Sequence, residues 1–257
     1  MRETVIESTQ DRVRTLTMNR PEARNAFNIQ QWADLQDALV DAERDNGVSV
    51  VILTGSSGAF TAGQDLSEMK APPGGGEHPF ASCMTRLIGF DKPLIAAVNG
   101  VGVGFGLTVL LHCDMVYIAK GARLKVPFVS LGVVPEAASS LLLPLQVGSQ
   151  NAAEIFFTAD WVSSSRAVDI GLAMREVPPE DLMSEANALA ARIAVHPLGS
   201  LRHTKRLVRA SRIDAVRAAR AREDEAFAIR VGSAENVEAI TAFLQKRKPD
   251  FSNIDPD

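Results

Sequence analysis

Alternating and helical patterns of apolar residues follow one another in the first part of the chain. The segments TVIES and VRTLTMNRP are rich in β-branched residues and are separated by a short polar turn, which predicts two strands. The next segment, NIQQWADLQDALVDAERD, places Trp32, Leu35, Leu39 and Ala42 at the spacing of one helical face. Asn28 stands where the N-terminal cap of that helix is expected.

Three later segments are apolar throughout instead of alternating. They are VSVVILTG, PLIAAVNG and MVYIA, and each is short enough to be a strand. Continuous apolar strands are typical of parallel sheets that helices cover on both faces. Because such strands alternate with helical patterns up to about residue 175, we predict an α/β core.

Two breaks rich in proline or glycine divide the chain. The segment KAPPGGGEHP, residues 70–79, predicts a mobile loop or lid, and REVPPED, residues 175–181, marks a second break. The pattern beyond it is almost wholly helical, so we predict a core over 1–195 and a helical C-terminal module over 196–257. Arg and Lys are frequent in that module, but acidic residues lie between them, which predicts a solvated helix face.

Composition narrows the possible partners. The 257 residues carry a formal net charge of −4, so neither nucleic acid nor an anionic membrane is expected as a bulk partner. Cys83 and Cys113 form no CxxC pair, and four scattered histidines do not predict a zinc site. The first residues contain no apolar signal core, and no apolar run is long enough to span a bilayer. We therefore expect a cytoplasmic protein without a metal site.

Two glycine-containing loops directly follow predicted buried strands. They are GSSGAFTAGQDL, residues 55–66, and NGVGVGFGL, residues 99–107. A helix starting after each loop would leave backbone N–H groups free to bind negative charge, and two such groups would form an oxyanion hole. The alternative is that the glycines only permit close packing of helix against strand. The second loop contains GxGxG and not GxGxxG, so it does not indicate a dinucleotide site.

Two polar candidates near these loops have structural explanations. The tripeptide HCD at 112–114 resembles a catalytic cluster, but adjacent residues on a helix point in different directions, so a buried helical cysteine is expected. Asp65 follows a glycine turn, where a helix cap is the commoner role for an aspartate.

The segment VPFVSLGVVPEAASS contains one carboxylate, Glu136, among small and apolar residues. Its neighbours Val133, Val134, Ala137 and Ala138 would make its surroundings apolar and raise its pKa toward the range of a useful base. The alternative is a loop acid after Pro135, or a residue that caps a following helix. The residues alone leave both interpretations open.

Several motifs together resemble those of the crotonase (enoyl-CoA hydratase/isomerase) superfamily. They cover nearly the whole chain and comprise MNRPEARNAF, AFTAGQDL, KPLIAAVNGVGVGFGLTVLLHCDMVYIA, FVSLGVVPEAASSLLLP and IGLAMREVP. The resemblance implies an α/β fold, a crotonase-like spiral of ββα units with a helical C-terminal trimerisation module. It also implies acyl-CoA thioester substrates, a stabilised thioester enolate, and self-association as a trimer or a dimer of trimers. Coenzyme A would be part of the substrate, and no other cofactor is implied.

The resemblance assigns roles to individual positions. The family's two oxyanion N–H groups fall on Gln64, in AGQD, and on Phe105, in VGFG, where family members usually have glycine. Hydratases carry two glutamates at positions that correspond here to Thr108 and Phe128, so both of those acids are missing. The segment around Glu136 is similar to the peroxisomal-type 3,2-enoyl-CoA isomerases, which also lack the hydratase pair and have an acidic residue at this point.

Further residues are placed along the acyl-CoA by the same resemblance. Those expected to line its binding site are Arg24, Ala26, Ala62, Gly63, Asp65, Leu66, Thr108 and Phe128. Arg24 would lie near the CoA phosphates, or would be an ordinary surface cation. Lys246 and Lys248 would reach the nucleotide of a neighbouring subunit, or would belong to a frayed basic tail. The candidate walls of the acyl pocket, which are alternatively ordinary core, are Phe80, Met84, Leu87, Phe156 and Phe157.

The expected reaction moves a double bond of an enoyl-CoA between the β,γ and α,β positions. A single base, Glu136, would take the α proton and return it to the γ carbon while the oxyanion hole holds the dienolate. One alternative is hydration or another crotonase reaction, which would need a further acid such as Asp65 or Glu68. The other is an acyl-CoA-binding protein without catalysis.

Overall fold

Two sheets with strands of unequal length form the centre of the fold. The computed structural model describes residues 2–68 and 78–255. The strands are β1 Val5–Gln10, β2 Val13–Met18, β3 Val50–Gly55, β4 Ala59–Thr61, β5 Leu94–Val98, β6 Val101–Val103, β7 Met115–Ala119, β8 Arg123–Lys125, β9 Val162–Ser163 and β10 Arg175–Val177. Within the described residues, the larger sheet has the order β1-β2-β3-β5-β7-β10 and the smaller has the order β4-β6-β8-β9.

Helices connect the strands and then continue without further strands as far as Leu244. They are α1 Ile29–Arg44, α2 Pro79–Gly89, α3 Phe105–Thr108, α4 Ser139–Val147, α5 Ser149–Thr158, α6 Ser164–Asp169, α7 Leu182–Ala194, α8 Leu198–Ala210, α9 Ile213–Arg230 and α10 Ala234–Leu244. Apart from the antiparallel pairs β1·β2 and β8·β9, neighbouring strands run parallel. The predicted α/β core and the helical C-terminal part are both confirmed.

The continuous apolar strands are buried on both faces, as their sequence predicts. Every residue of β3 and of β5 is buried, and α7 packs against both strands. The first helix also follows its pattern. The backbone N–H of Gln31 donates to Asn28 Oδ1 at 2.8 Å, so Asn28 is the N-cap of α1. The residues predicted to form its apolar face, Trp32, Leu35, Leu39 and Ala42, are buried in the core.

Each central strand of the larger sheet leads into a short strand of the smaller one. β3 is followed by β4, β5 by β6, and β7 by β8, which builds the ββα spiral. This differs from the prediction that a helix follows each glycine loop directly, because a short strand lies within each loop. β4 and β6 have three residues each, too few to show a period-2 pattern in the sequence.

The basic residues of α8 differ from the predicted solvated face. Lys205 is buried, and its Nζ lies 2.7 Å from Asp114 Oδ2. Arg202 and Arg206 both pair with Asp91, whose side chain is almost fully buried. α8 is therefore fastened to the core through its cations. The sequence does not indicate this, because the acidic partners lie about a hundred residues earlier in the chain.

Two further expectations concern single segments. Cys113 lies after a short 3₁₀ helix, Val109–His112, in an extended conformation, so the prediction of a buried helical cysteine is wrong: the residue is only half-buried. Of the predicted loop or lid at 70–79, residues 70–77 lie outside the described residues. In the part of the chain that the structure describes, no helix combines the length and apolar character needed to cross a bilayer.

Candidate active site

The two glycine loops meet side by side where β4 pairs with β6. Thr61 lies beside Gly102 in this parallel pair. Gly63 has a φ of +82°, and a Cβ built on it would lie 2.5 Å from Val103 O. A Cβ on Gly106 would likewise lie 2.9 Å from Thr61 O. The packing explanation for the glycines therefore holds, and this close packing also brings the two predicted N–H donors to one place.

Neither predicted donor is used by the surrounding backbone. Phe105 is the first residue of α3, where an N–H has no acceptor in the preceding turn. On either side of Gln64, the N–H of Phe27 donates to Gly63 O at 2.7 Å and the N–H of Asp65 donates to Phe27 O at 2.9 Å. The Gln64 N–H takes no part in these bonds. Within residues 2–68 and 78–255, no acceptor is bonded to either N–H.

Trp32 contacts both residues that carry these donors. Its indole Nε1–H donates to Gln64 Oε1 at 2.9 Å. Its ring packs edge-on against Phe105 with centroids 4.6 Å apart, and Phe27 packs against Phe105 from 5.0 Å. The sequence places Trp32 only on the apolar face of α1. Its bond to Gln64 joins residues 32 positions apart and has no sequence signal.

Glu136 is bound by Thr108, which stands at one of the two positions where the resemblance implies a hydratase glutamate. The hydroxyl of Thr108, a fully buried residue on α3, donates to Glu136 Oε1 at 2.6 Å. The other oxygen, Oε2, is buried and has no hydrogen-bond partner among the described residues. Burial raises the pKa of Glu136 to about 8, against the lowering effect of the Thr108 bond. The side chain is thus a buried acid with one oxygen anchored and one unused.

The backbone after Glu136 is bound by Glu223, a residue that the sequence did not suggest. Ala137 and Ala138 both have left-handed φ angles, 60° and 59°. Glu223 of α9 accepts from the N–H of Ala138 at 2.5 Å and from the N–H of Ser140 at 2.7 Å.

His112 supports the same turn from the other side. Its Nε2 lies 2.7 Å from the carbonyl oxygen of Ala137. Burial lowers the pKa of His112 to about 4, so the ring is neutral near pH 7. Since a carbonyl oxygen only accepts, this contact assigns the Nε2–H tautomer. Of the HCD tripeptide, His112 therefore supports the Glu136 turn, and Asp114 pairs with Lys205 of α8.

Comparison with known proteins identifies the family of the chain. A family model described as enoyl-CoA hydratase/isomerase matches residues 8–254. The chain belongs to this family, the crotonase superfamily. It is 37% identical over 256 residues to a 2,3-dehydroadipyl-CoA hydratase of Escherichia coli, covering 96% of this chain and 98% of the relative. It is 32% identical over 260 residues to a 1,2-epoxyphenylacetyl-CoA isomerase of the same organism, covering 98% and 99%.

Solved structures agree with the family and with its fold. An enoyl-CoA hydratase/isomerase from Pseudoalteromonas atlantica superposes with a TM-score of 0.94 at 38% identity, covering 97% of this chain and all of that one. The predicted crotonase fold is therefore confirmed.

The remaining residues expected to line a crotonase acyl-CoA site fall into one neighbourhood. The Ala62 N–H donates to the carbonyl of Arg24 at 3.0 Å, which pairs the two segments that carry these residues. The Arg24 side chain is exposed, and Ala26 is buried. Leu66 begins a 3₁₀ helix, Leu66–Glu68.

Asp65 has the capping role that the sequence indicates. Its Oδ1 accepts from the N–H and the hydroxyl of Ser67, and its Oδ2 pairs with Arg20 at 3.2 Å. Although burial acts in the opposite direction, these bonds lower the pKa of Asp65. Arg20, for which the sequence gives no functional signal, also donates to the carbonyl of Ala26 and so joins the two segments.

The apolar candidates divide between core and surface. Phe128 is buried and faces Phe156 with ring centroids 6.5 Å apart. Phe157 is 77% exposed, so it does not belong to the core, and its place in the acyl pocket stays a prediction. The other candidates in this group, all buried or packed against the core, are Phe80, Met84 and Leu87. Lys246 and Lys248 are exposed beyond α10, and their contact with a neighbouring subunit stays a prediction.

Proposed function

We propose that this protein is an enoyl-CoA isomerase that moves a double bond between the β,γ and α,β positions of an acyl-CoA thioester. The observation that carries the proposal is the buried Glu136 with one oxygen held by Thr108 and the other unpaired. The two positions at which the resemblance implies hydratase glutamates hold Thr108 and Phe128. A single carboxylate is sufficient for a proton shuttle.

The reaction follows from the placement of these groups. Glu136 Oε2 removes the α proton of a 3-enoyl-CoA, and the electrons move into the thioester carbonyl to give a dienolate. The N–H groups of Gln64 and Phe105 stabilise the oxygen charge of that intermediate. The protonated Glu136 then returns the proton to the γ carbon, which yields the 2-enoyl-CoA and restores the base. Thr108 keeps Oε1 in place, so one oxygen takes up and releases the proton.

Hydration is the second candidate, because a 2,3-dehydroadipyl-CoA hydratase is among the relatives. Hydration requires a second acid besides the base. The two candidates for that role, Asp65 and Glu68, already bind other groups. Asp65 is bound to Arg20 and Ser67, and Glu68 accepts from the N–H of Ile29 at 2.8 Å. The contacts of these two acids therefore favour isomerisation over hydration.

The proposed substrate determines the proposed partners. Coenzyme A enters as part of the substrate and no other cofactor is needed, because backbone donors hold the enolate charge. Arg24 is exposed at the edge of the segment that pairs with 62–65, where it would meet the CoA phosphates. We also propose that the chain associates as a trimer or a dimer of trimers.

The first experiment supplies a medium-chain 3-enoyl-CoA and follows the absorbance of the conjugated thioester. Glu136→Gln should lower turnover about 100- to 10,000-fold, since that is the usual contribution of a well-placed general base. Its binding of acyl-CoA, measured by calorimetry, should be unchanged. Glu180→Gln, which alters an exposed acid outside the site, is the matched control and should behave as wild type.

Other outcomes distinguish the alternatives. A loss below tenfold in Glu136→Gln would contradict the assignment of the base. Water addition to a 2-enoyl-CoA by the wild-type protein at a rate above isomerisation would select the hydratase. Tight acyl-CoA binding with no turnover of either substrate would identify a binding protein without catalysis.

A further inference from the structure

The turn that carries Glu136 has an unusual backbone. Ala137 and Ala138 are consecutive alanines with φ values of 60° and 59°. L-Residues other than Asn and Asp rarely adopt this left-handed conformation, and two in succession persist only where the surroundings hold them. Both alanines are fully buried. The turn must therefore be stabilised by contacts from other parts of the chain.

The carboxylate of Glu223 provides contacts of this kind. Each of its oxygens accepts a different backbone N–H, Oε2 from Ala138 at 2.5 Å and Oε1 from Ser140 at 2.7 Å. These are N–H groups at the start of α4, which have no acceptor within that helix. The residue is 5% exposed and lies on α9, more than eighty positions further along the chain.

The position of Glu223 is fixed independently of the turn. Arg220, one helical turn earlier on α9, donates to Thr85 Oγ1 at 2.8 Å and to the carbonyl of Ala81 at 2.7 Å. Both acceptors belong to α2. The same face of α9 therefore binds α2 with its arginine and the Glu136 turn with its glutamate.

We propose that Glu223 is a positioning residue that fixes the left-handed turn and so aims Glu136 at the substrate. The proposal rests on the function proposed above and deepens it. Glu223 has no contact with the reacting atoms in this role, and it acts through the backbone of 138–140. A purely structural glutamate would affect folding but would leave the turnover and the titration of Glu136 unchanged.

The charge of Glu223 gives the proposal a distinctive readout. The groups that face Glu136 are Thr108 from α3 and the charged residues Arg220, Glu223 and Asp224 from α9, while His112 binds the adjacent carbonyl. After burial, which is the largest cause, the negative charge of Glu223 contributes to the raised pKa of Glu136. Removing that charge should lower this pKa.

The test compares Glu223→Gln and Glu223→Asp with wild type, with Glu225→Gln as the matched control, since Glu225 is an exposed glutamate of the same helix. The pH dependence of kcat and KM is measured with 3-enoyl-CoA, and folding by thermal unfolding. Glu223→Gln should lower the plateau kcat about tenfold or more, because small misplacements of a base have effects of that order, with KM changed less than about threefold. The midpoint of its pH profile should move to lower pH.

Glu223→Asp separates geometry from charge. The shorter side chain keeps the charge but cannot reach both N–H groups, so kcat should fall while the midpoint stays near the wild-type value. Adding Ala137→Gly and Ala138→Gly to Glu223→Gln should restore part of kcat, because glycine adopts positive φ without strain, but should not restore the midpoint. Glu225→Gln should match wild type in all readouts.

The proposal is overturned if Glu223→Gln retains the wild-type plateau and midpoint, or if its loss of kcat is matched in Glu225→Gln. A variant that fails to fold is replaced by the glycine-containing triple variant, for which the same midpoint shift is required. If the wild-type protein has no isomerase activity, the function proposed above fails separately. The ¹³C NMR titration of Glu136, assigned by comparison with Glu136→Gln, then tests Glu223 without turnover: an unchanged pKa in Glu223→Gln overturns the proposal.

Discussion

At the residue scale, the two oxygens of Glu136 have different environments. Thr108 holds Oε1 at 2.6 Å, while Oε2 is buried without a partner in the described part of the chain. A buried carboxylate with one oxygen unpaired is costly to ionise, and this cost makes it a stronger base once ionised. The threonine orients the carboxylate without neutralising it. Thr108 stands where the resemblance implies a hydratase glutamate, and here it supports Glu136 instead.

Turnover should follow the ionisation of Glu136. The base must be deprotonated, and its pKa in the free protein is raised to about 8, so kcat/KM for 3-enoyl-CoA should rise with pH with a midpoint near that value. Thr108→Val removes a hydrogen bond that lowers this pKa, so its midpoint should move to higher pH and its plateau should fall about tenfold. The measurement is the pH profile of initial rates.

The direction of the Thr108→Val shift is opposite to that expected for Glu223→Gln, which provides an internal check. Thr158→Val, at an exposed threonine on α5, is the control and should keep the wild-type midpoint. A Thr108→Val midpoint equal to wild type would mean that the hydroxyl does not bind the Glu136 carboxylate in solution.

At the element scale, the site depends on the close approach of the β4 and β6 loops. Their pairing brings Gln64 and Phe105 together, and it requires that Gly63 and Gly106 have no side chain. Trp32 adds a second connection, since it bonds to Gln64 and packs against Phe105. The short strands of the smaller sheet therefore determine the geometry of the proposed oxyanion hole.

Gly63→Ala tests this dependence, with Gly58→Ala as its matched control. Both glycines have positive φ, +82° and +74°, so Gly58→Ala should destabilise the fold by about 1 kcal/mol, and Gly63→Ala by more because its Cβ also meets backbone. Only the Cβ at position 63 meets backbone, 2.5 Å from Val103 O, whereas nothing lies within 4 Å of a Cβ at Gly58. Gly63→Ala should lose about 100-fold in kcat, since the donors are displaced, while Gly58→Ala keeps wild-type kcat.

Chemical denaturation and initial rates provide the two measurements. Equal kcat values for Gly63→Ala and Gly58→Ala would show that the loop contact does not control the donors.

At the scale of the whole molecule, the C-terminal helices complete the core on which the site is built. α8 is fastened by Lys205 and two arginines, and α9 supports both α2 and the turn after Glu136. The division of the chain at 195/196 stays a prediction. The contacts of α8 and α9 show that the helical part and the core share buried ion pairs and hydrogen bonds.

Self-association should be visible as a mass of three or six chains in sedimentation equilibrium. The physical reason is the set of large apolar side chains left exposed on one chain, which another copy of the chain would cover. Many of these side chains lie on α4, on α5, directly after α7 and on the C-terminal helices. They are Leu145, Phe157, Val195, Leu207, Val208, Ile229, Val237, Phe243 and Leu244. Leu207→Glu, on α8, should weaken association, whereas the already charged Arg217→Glu is the control. A monomer mass across the micromolar range would contradict the trimer.

The amino-acid sequence by itself determined the features that depend on local pattern. The apolar strands, the capped helix α1, the helical C-terminal part and the motifs of the crotonase family are all present as runs of neighbouring residues. The tertiary structure alone decided which distant residues meet, such as Thr108 and Glu136, Trp32 and Gln64, or Glu223 and the turn at 137–138. The reason is physical: side-chain directions repeat every 2 residues along a strand and every 3.6 along a helix and leave a periodic signal, whereas a hydrogen bond between remote residues depends on the packing of whole elements.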